Sequence, residues 1–375
     1  MNTSTDKNYD EALLPASLIY FPEGEYSASE RKWQGIPAIE YTKKGCMFVS
    51  FYSGGYTEQS GNFVILIKSD DDGTAFSAPI LAVAPPTPDV RCFDQCLWID
   101  PYGKLWLFWA QSFGYMDGRI GVWASVCDDA DAKYPRFSSP KRIANGIMMN
   151  KPTVLSSGEW ILTCGIYEGI TPKYIDIPKE RFSNVYISKD GGNTFALAGH
   201  SDYPDRWIDE HMVVEKNDGS IWMLIRGRHG IGQAFSHDKG YTWTGDSDSG
   251  LGGPCSRFCI RRLKSGRLIL INHHDFKGRD NLKAMLSDDD GVSWKGYLML
   301  DERAGVSYPD LTEDGKGDIY ITYDYDRYNA REIYIAKVTE ADILAGKIIT
   351  SSSFLKRLAN KATTPVTWKI PPVVL

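Results

Sequence analysis

Short runs of alternating apolar and polar residues, separated by turns rich in Gly and Asp, recur along the chain. One complete unit spans residues 208–243, with alternation at 212–215 and 221–225, a turn at Gly219 between these runs, and a third run at 232–236. The unit ends in a Ser-x-Asp-x-Gly-x-x-Trp turn. A period of two interrupted by Gly and Asp turns indicates β-hairpins. Each unit therefore predicts a small antiparallel sheet.

Six copies of the first hairpin can be aligned by their turn glycines. These glycines are Gly45, Gly103, Gly158, Gly219, Gly266 and Gly317. Successive glycines lie 58, 55, 61, 47 and 51 residues apart by subtraction, and the following strand and turn bring each unit to four strands. The blades of β-propellers have four strands and repeat about every 40 to 50 residues, which is close to these spacings. The sequence therefore predicts an all-β fold, a six-bladed β-propeller with four-stranded antiparallel blades.

The propeller accounts for nearly the whole chain as one unit. A length of 375 residues alone suggests two or three domains, whereas a closed ring of repeats fills that length as one. We predict a single propeller domain over residues 15–375, after a disordered or frayed N-terminus at residues 1–14. The segment 17–21 is predicted to be the outer strand of the last blade. Ile343 and Leu344 are predicted to lie in a short helical turn.

A second turn repeats the pattern Ser-x-Asp-x-Gly-x-x-aromatic. It begins at Ser69, Ser188, Ser236 and Ser287, with degenerate versions near Ser125 and Ala336. The Asp carboxylate can accept hydrogen bonds from turn amides, the Gly can adopt a positive φ, and the aromatic side chain can pack between sheets. Four equivalent copies around a ring indicate a structural role, because an active site needs different residues in each blade.

Composition narrows the choice of partners and compartment. Apolar residues make up 42% of the chain and aromatic residues 13%, enough for a buried core and for stacking on sugars. The net charge of −6 comes without a basic stripe, and no apolar run is long enough for a membrane span, so neither nucleic acid nor a membrane is an expected partner. The seven cysteines fall mostly in apolar runs and are predicted to be buried thiols. The N-terminus has no signal segment, which predicts a cytoplasmic protein, or a periplasmic or secreted one if a signal peptide has been removed.

One face of the predicted ring gathers polar residues that differ from blade to blade. In an antiparallel blade the start of the first strand, the end of the second and the start of the third share a face, opposite both hairpin turns. First-strand starts bring Asp94, Lys151, Glu210, His211, Arg257 and Tyr308 to this face, and the later loops bring Glu58, Arg226, His273 and Arg279. Acids, arginines, a tyrosine and aromatic groups around a ring axis suit a sugar pocket.

The Ser-x-Asp-x-Gly-x-x-aromatic turns are the Asp-box signature of the sialidase superfamily, which the chain resembles over nearly its whole length. In the family a Glu precedes a first strand, an Arg ends the next strand, an Arg precedes Asn-Leu in the following blade, and a Tyr opens the last blade. The matching residues are Glu210, Arg226, Arg279 and Tyr308. The family's acid, usually Asp, corresponds to Glu58. The family's first arginine, in an Arg-Ile-Pro motif, corresponds to Gly35.

This resemblance implies an exo-acting glycoside hydrolase that removes a terminal sugar, which can be acidic, from a glycan with a retaining mechanism. Sialic acid carries a carboxylate on its anomeric carbon, which repels an ionised nucleophile but not a neutral phenol, and sialidases use Tyr. The implied roles are Tyr308 as nucleophile, Glu210 as its base and Glu58 as the acid for the leaving oxygen. Arg226 and Arg279 are implied to bind the substrate carboxylate.

The glycine at position 35 leaves the identity of the sugar open. Loss of one charge-assisted partner is expected to weaken carboxylate binding by about 1.5–3 kcal/mol. Either another base such as Arg257 or Lys151 takes its place, or the enzyme cleaves a different terminal sugar, such as a uronic acid or a deoxy sugar. We favour the second option slightly. Arg303, close to the Tyr308 loop, is either a substrate clamp or a brace for that loop.

Other functions remain open at this stage. Asp94, His211 and His273 are candidates for hydrogen bonds to the sugar, but a polysaccharide lyase would use one of these histidines with a Tyr to abstract a proton beside a uronate carboxylate. A His-dependent hydrolase and a carbohydrate-binding propeller without catalysis are further alternatives. No residue cluster has metal-ligand spacing, so neither a metal nor a cofactor is expected. The expected partner is a glycan or oligosaccharide substrate, and the oligomeric state is left undetermined.

Overall fold

The alternating runs form strands that arrange as a propeller. The computed structural model describes residues 11–167, 180–208, 210–365 and 367. Within these residues the strands make six antiparallel sheets, five with four strands and one with five. Each sheet is built from consecutive strands apart from one added strand, and the six-bladed all-β prediction is confirmed.

The strands of the first three blades are as follows. Blade 1 contains β1 (Ser17–Tyr20), β2 (Trp33–Tyr41), β3 (Met47–Gly54), β4 (Phe63–Ser69) and β5 (Leu81–Ala84). Blade 2 contains β6 (Val90–Ile99), β7 (Leu105–Phe113), β8 (Gly121–Cys127) and β9 (Lys141–Asn145). Blade 3 contains β10 (Thr153–Val154), β11 (Trp160–Gly165), β12 (Ser183–Ser188) and β13 (Ala196–Ser201).

The other three blades complete the ring. Blade 4 contains β14 (Met212–Glu215), β15 (Ile221–Arg226), β16 (Ile231–Ser236) and β17 (Thr244–Asp248). Blade 5 contains β18 (Cys259–Arg262), β19 (Leu268–His273), β20 (Leu282–Ser287) and β21 (Lys295–Asp301). Blade 6 contains β22 (Val306–Glu313), β23 (Ile319–Tyr325), β24 (Glu332–Val338) and β25 (Phe354–Lys361). The first strands of blades 1 and 6 meet where the Ile39 amide donates to Asp310 Oδ2 at 2.9 Å.

The prediction for residues 17–21 is wrong. Strand β1 pairs antiparallel with β5, with Ser17 opposite Ala84 and Tyr20 opposite Leu81, so it is a fifth, outer strand of blade 1. Strand β25 takes the outer position in blade 6. Because β1 covers the free edge of β5, it removes an exposed row of backbone donors and acceptors.

The Asp-box turns have the structural role expected of them. In the box at Ser236, the Asp238 carboxylate accepts from the Ser236 hydroxyl at 2.8 Å and from the Thr242 amide at 2.8 Å. Gly240 has a φ of 94°. In the box at Ser188, the ring of Phe195 packs edge-on against Trp106 of blade 2, with centroids 6.3 Å apart. The boxes therefore close turns and join neighbouring blades.

Helical structure is short in the described residues. A 3-10 turn covers Gly24–Tyr26 and helix α1 covers Glu340–Ala345, which confirms the prediction for Ile343 and Leu344. Thr339 and Asp342 form a capping box at the start of α1. In the parts of the chain that the structure describes, no helix is long and apolar enough to cross a membrane.

The N-terminal segment is only partly covered. Residues 1–10 of the predicted frayed terminus lie outside the described residues. The next residues contact blade 2, where Gln111 Nε2 donates to the carbonyls of Ala12 at 3.0 Å and Leu14 at 2.8 Å. Ala12 is fully buried. Residues 11–14 therefore pack on the propeller.

The cysteines are free thiols that pack like small apolar side chains. Six of the seven are buried, as predicted, and Cys255 is half-buried. Burial raises the pKa of the Cys96 and Cys259 thiols to about 12. Since the thiolate is the reactive form, these two groups are chemically inert at neutral pH.

Candidate active site

A pocket opens at the ring axis on the face where the first strands begin. Every blade contributes to it, with Glu58, Asp94, Tyr167, Glu210, Arg279 and Tyr308 coming from blades 1 to 6 in that order. The pocket therefore lies on the predicted face, where the first strands begin and the second strands end. Hairpin geometry alone selects this face, because both turns of each blade point the other way.

Backbone bulges direct three of the side chains into the pocket. The register of β2, β6 and β22 shifts so that two residues oppose one on the partner strand. The bulged residues Ile36, Asp94 and Tyr308 have φ values of 57°, 46° and 54°. A left-handed conformation at a non-glycine residue is strained and is found most often at functional sites. Here the bulges turn side chains out of the sheet towards the axis.

Tyr308, Glu210 and Arg226 form a connected group in the pocket. The Tyr308 hydroxyl donates to Glu210 Oε1 at 3.0 Å. Arg226 Nη1 lies 2.7 Å from the same carboxylate oxygen and donates to the Tyr308 hydroxyl at 3.3 Å. The side chains of Glu210 and Arg226 are each 2% exposed. A phenol, a carboxylate and a guanidinium thus share one buried hydrogen-bonded cluster.

Burial sets the ionisation of this cluster. Burial and the Glu210 carboxylate raise the pKa of the Tyr308 phenol above its usual value, although Arg226 and Arg279 oppose the shift. Burial alone would lower the pKa of Arg226, but Glu210 raises it well above the ordinary value. The phenol therefore carries its proton at neutral pH. Glu210 Oε2 is buried without a hydrogen-bond partner in the described residues, and so is free to accept.

Two further carboxyl groups face this cluster from blades 1 and 2. Glu58 Oε1 accepts from Arg327 Nη1 at 3.0 Å. Asp94 is buried, and burial, followed by the nearby Glu58 carboxylate, raises the pKa of Asp94 to about 8. In the pocket, the Glu58 carboxylate, paired with Arg327, therefore lies beside the Asp94 carboxyl group, which holds a proton at neutral pH.

Arginines from two opposite blades complete the walls. Arg279 Nη2 donates to the Cys255 carbonyl at 3.1 Å, and its guanidinium lies 5.4 Å from the centre of the Tyr308 ring. The guanidinium of Arg91 stacks 3.7 Å from the centre of the Phe93 ring. Among the described residues, neither arginine has a carboxylate within salt-bridge distance. Both are therefore able to bind acidic or polar groups of a ligand.

Six of the predicted site residues line the pocket and five lie elsewhere. The six are Tyr308, Glu210, Glu58, Arg226, Arg279 and Asp94. Lys151 lies deeper along the axis, where its ammonium contacts Glu40 at 3.2 Å and Asp310 at 3.1 Å. Arg257 donates to Asn150 Oδ1 at 2.7 Å and is 1% exposed. Both bases tie blades together, so neither replaces the arginine absent at position 35.

The other three residues are held by local partners. Arg303 pairs with Asp301, stacks 3.8 Å from the centre of the Tyr325 ring and lies outside the lining of the pocket. His211 Nε2 contacts the Asn184 carbonyl at 2.7 Å. His273 Nδ1 contacts the Asp280 carbonyl at 2.7 Å, and burial lowers the pKa of this imidazole to about 4. Both histidines are 1% exposed.

Arg327 and Arg91 are pocket residues that the sequence analysis missed. Arg327 follows β23 and Arg91 lies near the start of β6, so both belong to the face that hairpin geometry selects. The glycine at position 35 was the available signal, because a missing side chain in a polar pocket leaves room for another.

Comparison with known proteins places these features in context. Residues 29–321 match the BNR repeat-like domain family. A sialidase from Bacteroides fragilis (strain YCH46) is 29% identical over 166 residues, which are 40% of this chain and 30% of that protein. The chain thus aligns with less than a third of this curated relative.

Solved structures with the same fold include a sialidase and an intramolecular trans-sialidase. The NanB sialidase from Streptococcus pneumoniae superposes with a TM-score of 0.67 at 14% identity, over 88% of this chain and 71% of that one. The intramolecular trans-sialidase from Ruminococcus gnavus, solved with oseltamivir carboxylate, superposes with a TM-score of 0.67 at 13% identity, over 88% of this chain and 98% of that one. At these identities the likeness shows the fold.

Proposed function

Because the chain belongs to the BNR repeat-like domain family and has the six-bladed propeller of the sialidase superfamily, we propose that it is an exo-acting glycoside hydrolase. Its substrate is a glycan with a terminal acidic sugar, which is released with retention of configuration through a bond to Tyr308. The observation that carries this proposal is the buried hydrogen bond of 3.0 Å between the Tyr308 hydroxyl and Glu210.

The chemistry of the first step follows from the ionisation of the cluster. A phenol with a raised pKa is a weak nucleophile until a base accepts its proton. Glu210 is within hydrogen-bond distance to do so as Tyr308 Oη bonds to the anomeric carbon. The glycosidic oxygen leaves with its bonding electron pair and takes a proton from Glu58, which acts in its protonated form after the substrate has displaced its ion pair with Arg327. Arg226, 3.3 Å from the phenol oxygen, stabilises the negative charge that develops there.

The second step restores the enzyme. Glu58, now ionised, takes a proton from a water molecule as the water oxygen attacks the anomeric carbon. The bond between that carbon and Tyr308 Oη breaks, and the phenolate recovers its proton from Glu210. Two displacements at one carbon retain its configuration.

Other functions have less support from the pocket. The lyase and the His-dependent hydrolase of the sequence analysis each rely on a histidine beside the substrate, but His211 and His273 are buried away from the lining of the pocket. A binding protein without catalysis requires neither a base nor a nucleophile. A phenol bonded to a buried carboxylate is an arrangement that binding alone does not explain.

Substitution of Tyr308 tests the proposal. Chromogenic glycosides of sialic and uronic acids identify a cleaved substrate, and Tyr308→Phe is expected to abolish its turnover. Glu210→Gln is expected to lower kcat by about 10²–10⁴-fold. Because Glu210 also pairs with the buried Arg226, the Gln variant is expected to melt at a lower temperature, whereas the Phe variant keeps that ion pair and its melting temperature.

The matched control is Tyr102→Phe, which removes the hydroxyl of a 71% exposed tyrosine on the opposite, turn face. It is expected to retain full turnover. Full activity in Tyr308→Phe would refute the mechanism. Intact glycan recovered from the wild-type protein after prolonged incubation would favour a binding function.

A further inference from the structure

Arg327 occupies the space that a side chain at position 35 would fill. A Cβ atom built on Gly35 would overlap Arg327 Cδ and lie 2.7 Å from Arg327 Cγ and 3.0 Å from Asp324 Oδ2. The sequence resemblance placed an arginine of the family at this position in blade 1. In this chain a guanidinium reaches the same region from blade 6, and the absence of a Cβ at position 35 is what admits it.

Asp324 holds the Arg327 side chain in this orientation. The Asp324 carboxylate is fully buried and accepts from the Ile36 amide at 2.8 Å and the Ser307 hydroxyl at 2.6 Å. Arg327 Nε lies 3.7 Å from Asp324 Oδ2. Burial on its own would lower the pKa of Arg327, but the carboxylates of Asp324 and Glu58 raise it. A permanently charged guanidinium is therefore fixed at the pocket wall.

Three guanidinium groups converge on Tyr308. Arg226 Nη1 lies 3.3 Å from the phenol oxygen, and the guanidinium carbons of Arg279 and Arg327 lie 5.4 Å and 5.0 Å from the ring centre. Within the described residues, the one hydrogen bond of Arg327 runs from Nη1 to Glu58. Nη2 therefore retains its donors for a ligand placed beside the Tyr308 ring.

We propose that Arg327 is a specificity-determining residue that binds the carboxylate of an acidic sugar together with Arg226 and Arg279. This inference rests on the proposed function, because it assigns the substrate class of the same site. Gly35 raised the question of which base replaces the arginine of the family at that position. Arg327, which enters the pocket from blade 6, supplies this third guanidinium. The expected ligand is a sugar with a carboxylate on its anomeric carbon, beside the Tyr308 oxygen.

A double-mutant cycle measures the dependence of Arg327 on Gly35. The four proteins are the full-length chain, Arg327→Ala, Gly35→Ala and the double variant. Each is titrated calorimetrically with N-acetylneuraminic acid and with its methyl ester. Arg327→Ala is expected to lower affinity for the acid by about 10- to 100-fold, because a charge-assisted hydrogen bond is lost, with less than about a threefold change for the ester.

The cycle also separates steric from electrostatic effects. Gly35→Ala is expected to lower affinity for the acid because its Cβ displaces Arg327, but to have no further effect when Arg327 is already Ala. Equal losses for acid and ester would overturn the proposal, since they would indicate a structural brace that also positions Glu58. Additive effects of the two substitutions, or a wild-type chain that does not bind the acid more tightly than the ester, would also overturn it.

Controls keep this inference separable from the proposed function. Arg267→Ala removes a surface arginine beside the Gly266 turn, on the face opposite the pocket, and is expected to leave both affinities unchanged. Titrations with Tyr308→Phe measure binding without turnover. If Tyr308→Phe remains active but Arg327→Ala loses affinity for the acid, the proposed mechanism fails and this inference stands. If Tyr308→Phe loses all turnover but Arg327→Ala keeps its affinity for the acid, the proposed mechanism stands and this inference fails.

Discussion

At the scale of single residues, the pocket shows how burial and neighbouring charge decide which groups carry protons. Asp94 sits on a bulge, buried and close to Glu58, and its pKa is raised to about 8 from the ordinary value of 3.8. Tyr308 also remains protonated, because burial and Glu210 raise its pKa. The pocket thus holds two acidic groups in their neutral forms at neutral pH, which lowers the repulsion of an anionic ligand.

Asp94 makes the stability of the folded chain depend on pH. The folded-state pKa of Asp94 is above its unfolded value. Between about pH 4 and pH 8 the folded chain therefore keeps a proton that the unfolded chain has already lost. The stabilising contribution is therefore complete below about pH 4 and is lost as the pH rises through 8, by up to about 1.4 kcal/mol per pH unit. Asp94→Asn is expected to remove this loss, so its melting temperature relative to wild type is higher at pH 8 than at pH 5.

Thermal melts at the two pH values check this expectation. Asp128→Asn, a change at a side chain that is 82% exposed, is the control and is expected to show the same difference from wild type at both pH values. A constant difference between Asp94→Asn and wild type across this range would contradict the raised pKa.

The sequence predicted the residues of the site that follow from periodicity and from resemblance. Glu210, Arg226, Arg279 and Tyr308 lie at repeat positions that the hairpin pattern assigns to one face, and they line the pocket. Arg327 was missed because its role depends on a contact between residues 292 positions apart, from Gly35 to Arg327 by subtraction. No pattern within one blade contains that information.

At the scale of strands and turns, the bulges in β2, β6 and β22 direct side chains to the ring axis and leave the strand pairing on either side intact. Each bulge places two residues opposite one, and in β2 and β22 the second of the two is a proline, Pro37 and Pro309. Proline cannot donate to a ladder, but an unpaired bulge position needs no donor. The sheet therefore stays intact on both sides of each pocket residue.

The Asp-box carboxylates are expected to stabilise turns without affecting catalysis. Asp71 accepts from the Ser69 hydroxyl at 2.7 Å and the Ala75 amide at 2.9 Å, while the adjacent Asp70 pairs with Lys68 and is 66% exposed. Asp71→Ala is expected to lower the melting temperature by about 2–4 °C, whereas Asp70→Ala changes it by less than about 1 °C. Both variants should keep wild-type kcat, because this turn faces away from the pocket.

Calorimetric melts and turnover assays check these two variants. Equal melting temperatures for Asp71→Ala and Asp70→Ala would remove the structural role of the box. A loss of kcat in Asp71→Ala without any change in melting temperature would assign the box a part in catalysis instead.

The position of β1 shows the limit of sequence reasoning about elements. The segment 17–20 reads as a strand, and it is one, but its pattern of burial does not distinguish the two possible edges. The blade to which this strand belongs depends on which sheet has an outer edge that no other strand covers. Strand β25 fills the edge of blade 6, and β1 covers the edge of β5 in blade 1. The hydroxyl of Tyr20 then accepts from the Phe137 amide of blade 2 at 2.8 Å.

At the scale of the whole molecule, Lys151 joins blades at the axis. It lies just before β10 in blade 3 and donates to the carbonyls of Ile39 in blade 1 and Leu97 in blade 2. Its ammonium also pairs with Glu40 and Asp310, and its side chain is 2% exposed. Four blades thus meet at one buried cation.

Loss of this cation is expected to destabilise the propeller as a unit. Lys151→Met leaves two buried carboxylates without their partner, which is expected to lower the free energy of unfolding by about 3–5 kcal/mol. Lys104→Met, which removes an exposed ion pair with Asp128, is the control and should cost less than about 1 kcal/mol. Urea denaturation measures both values. A change below about 1 kcal/mol in Lys151→Met would show that the axis tolerates the unpaired acids.

The close approach of Arg327 to Gly35 has an evolutionary consequence. An arginine at position 35 and the present side chain at 327 cannot coexist, because they require the same volume. A lineage that moves between the two arrangements by single substitutions therefore passes through an ancestor that either lacks both arginines or has Arg327 displaced from the pocket wall. On the role proposed for Arg327, such an ancestor is expected to bind acidic sugars weakly.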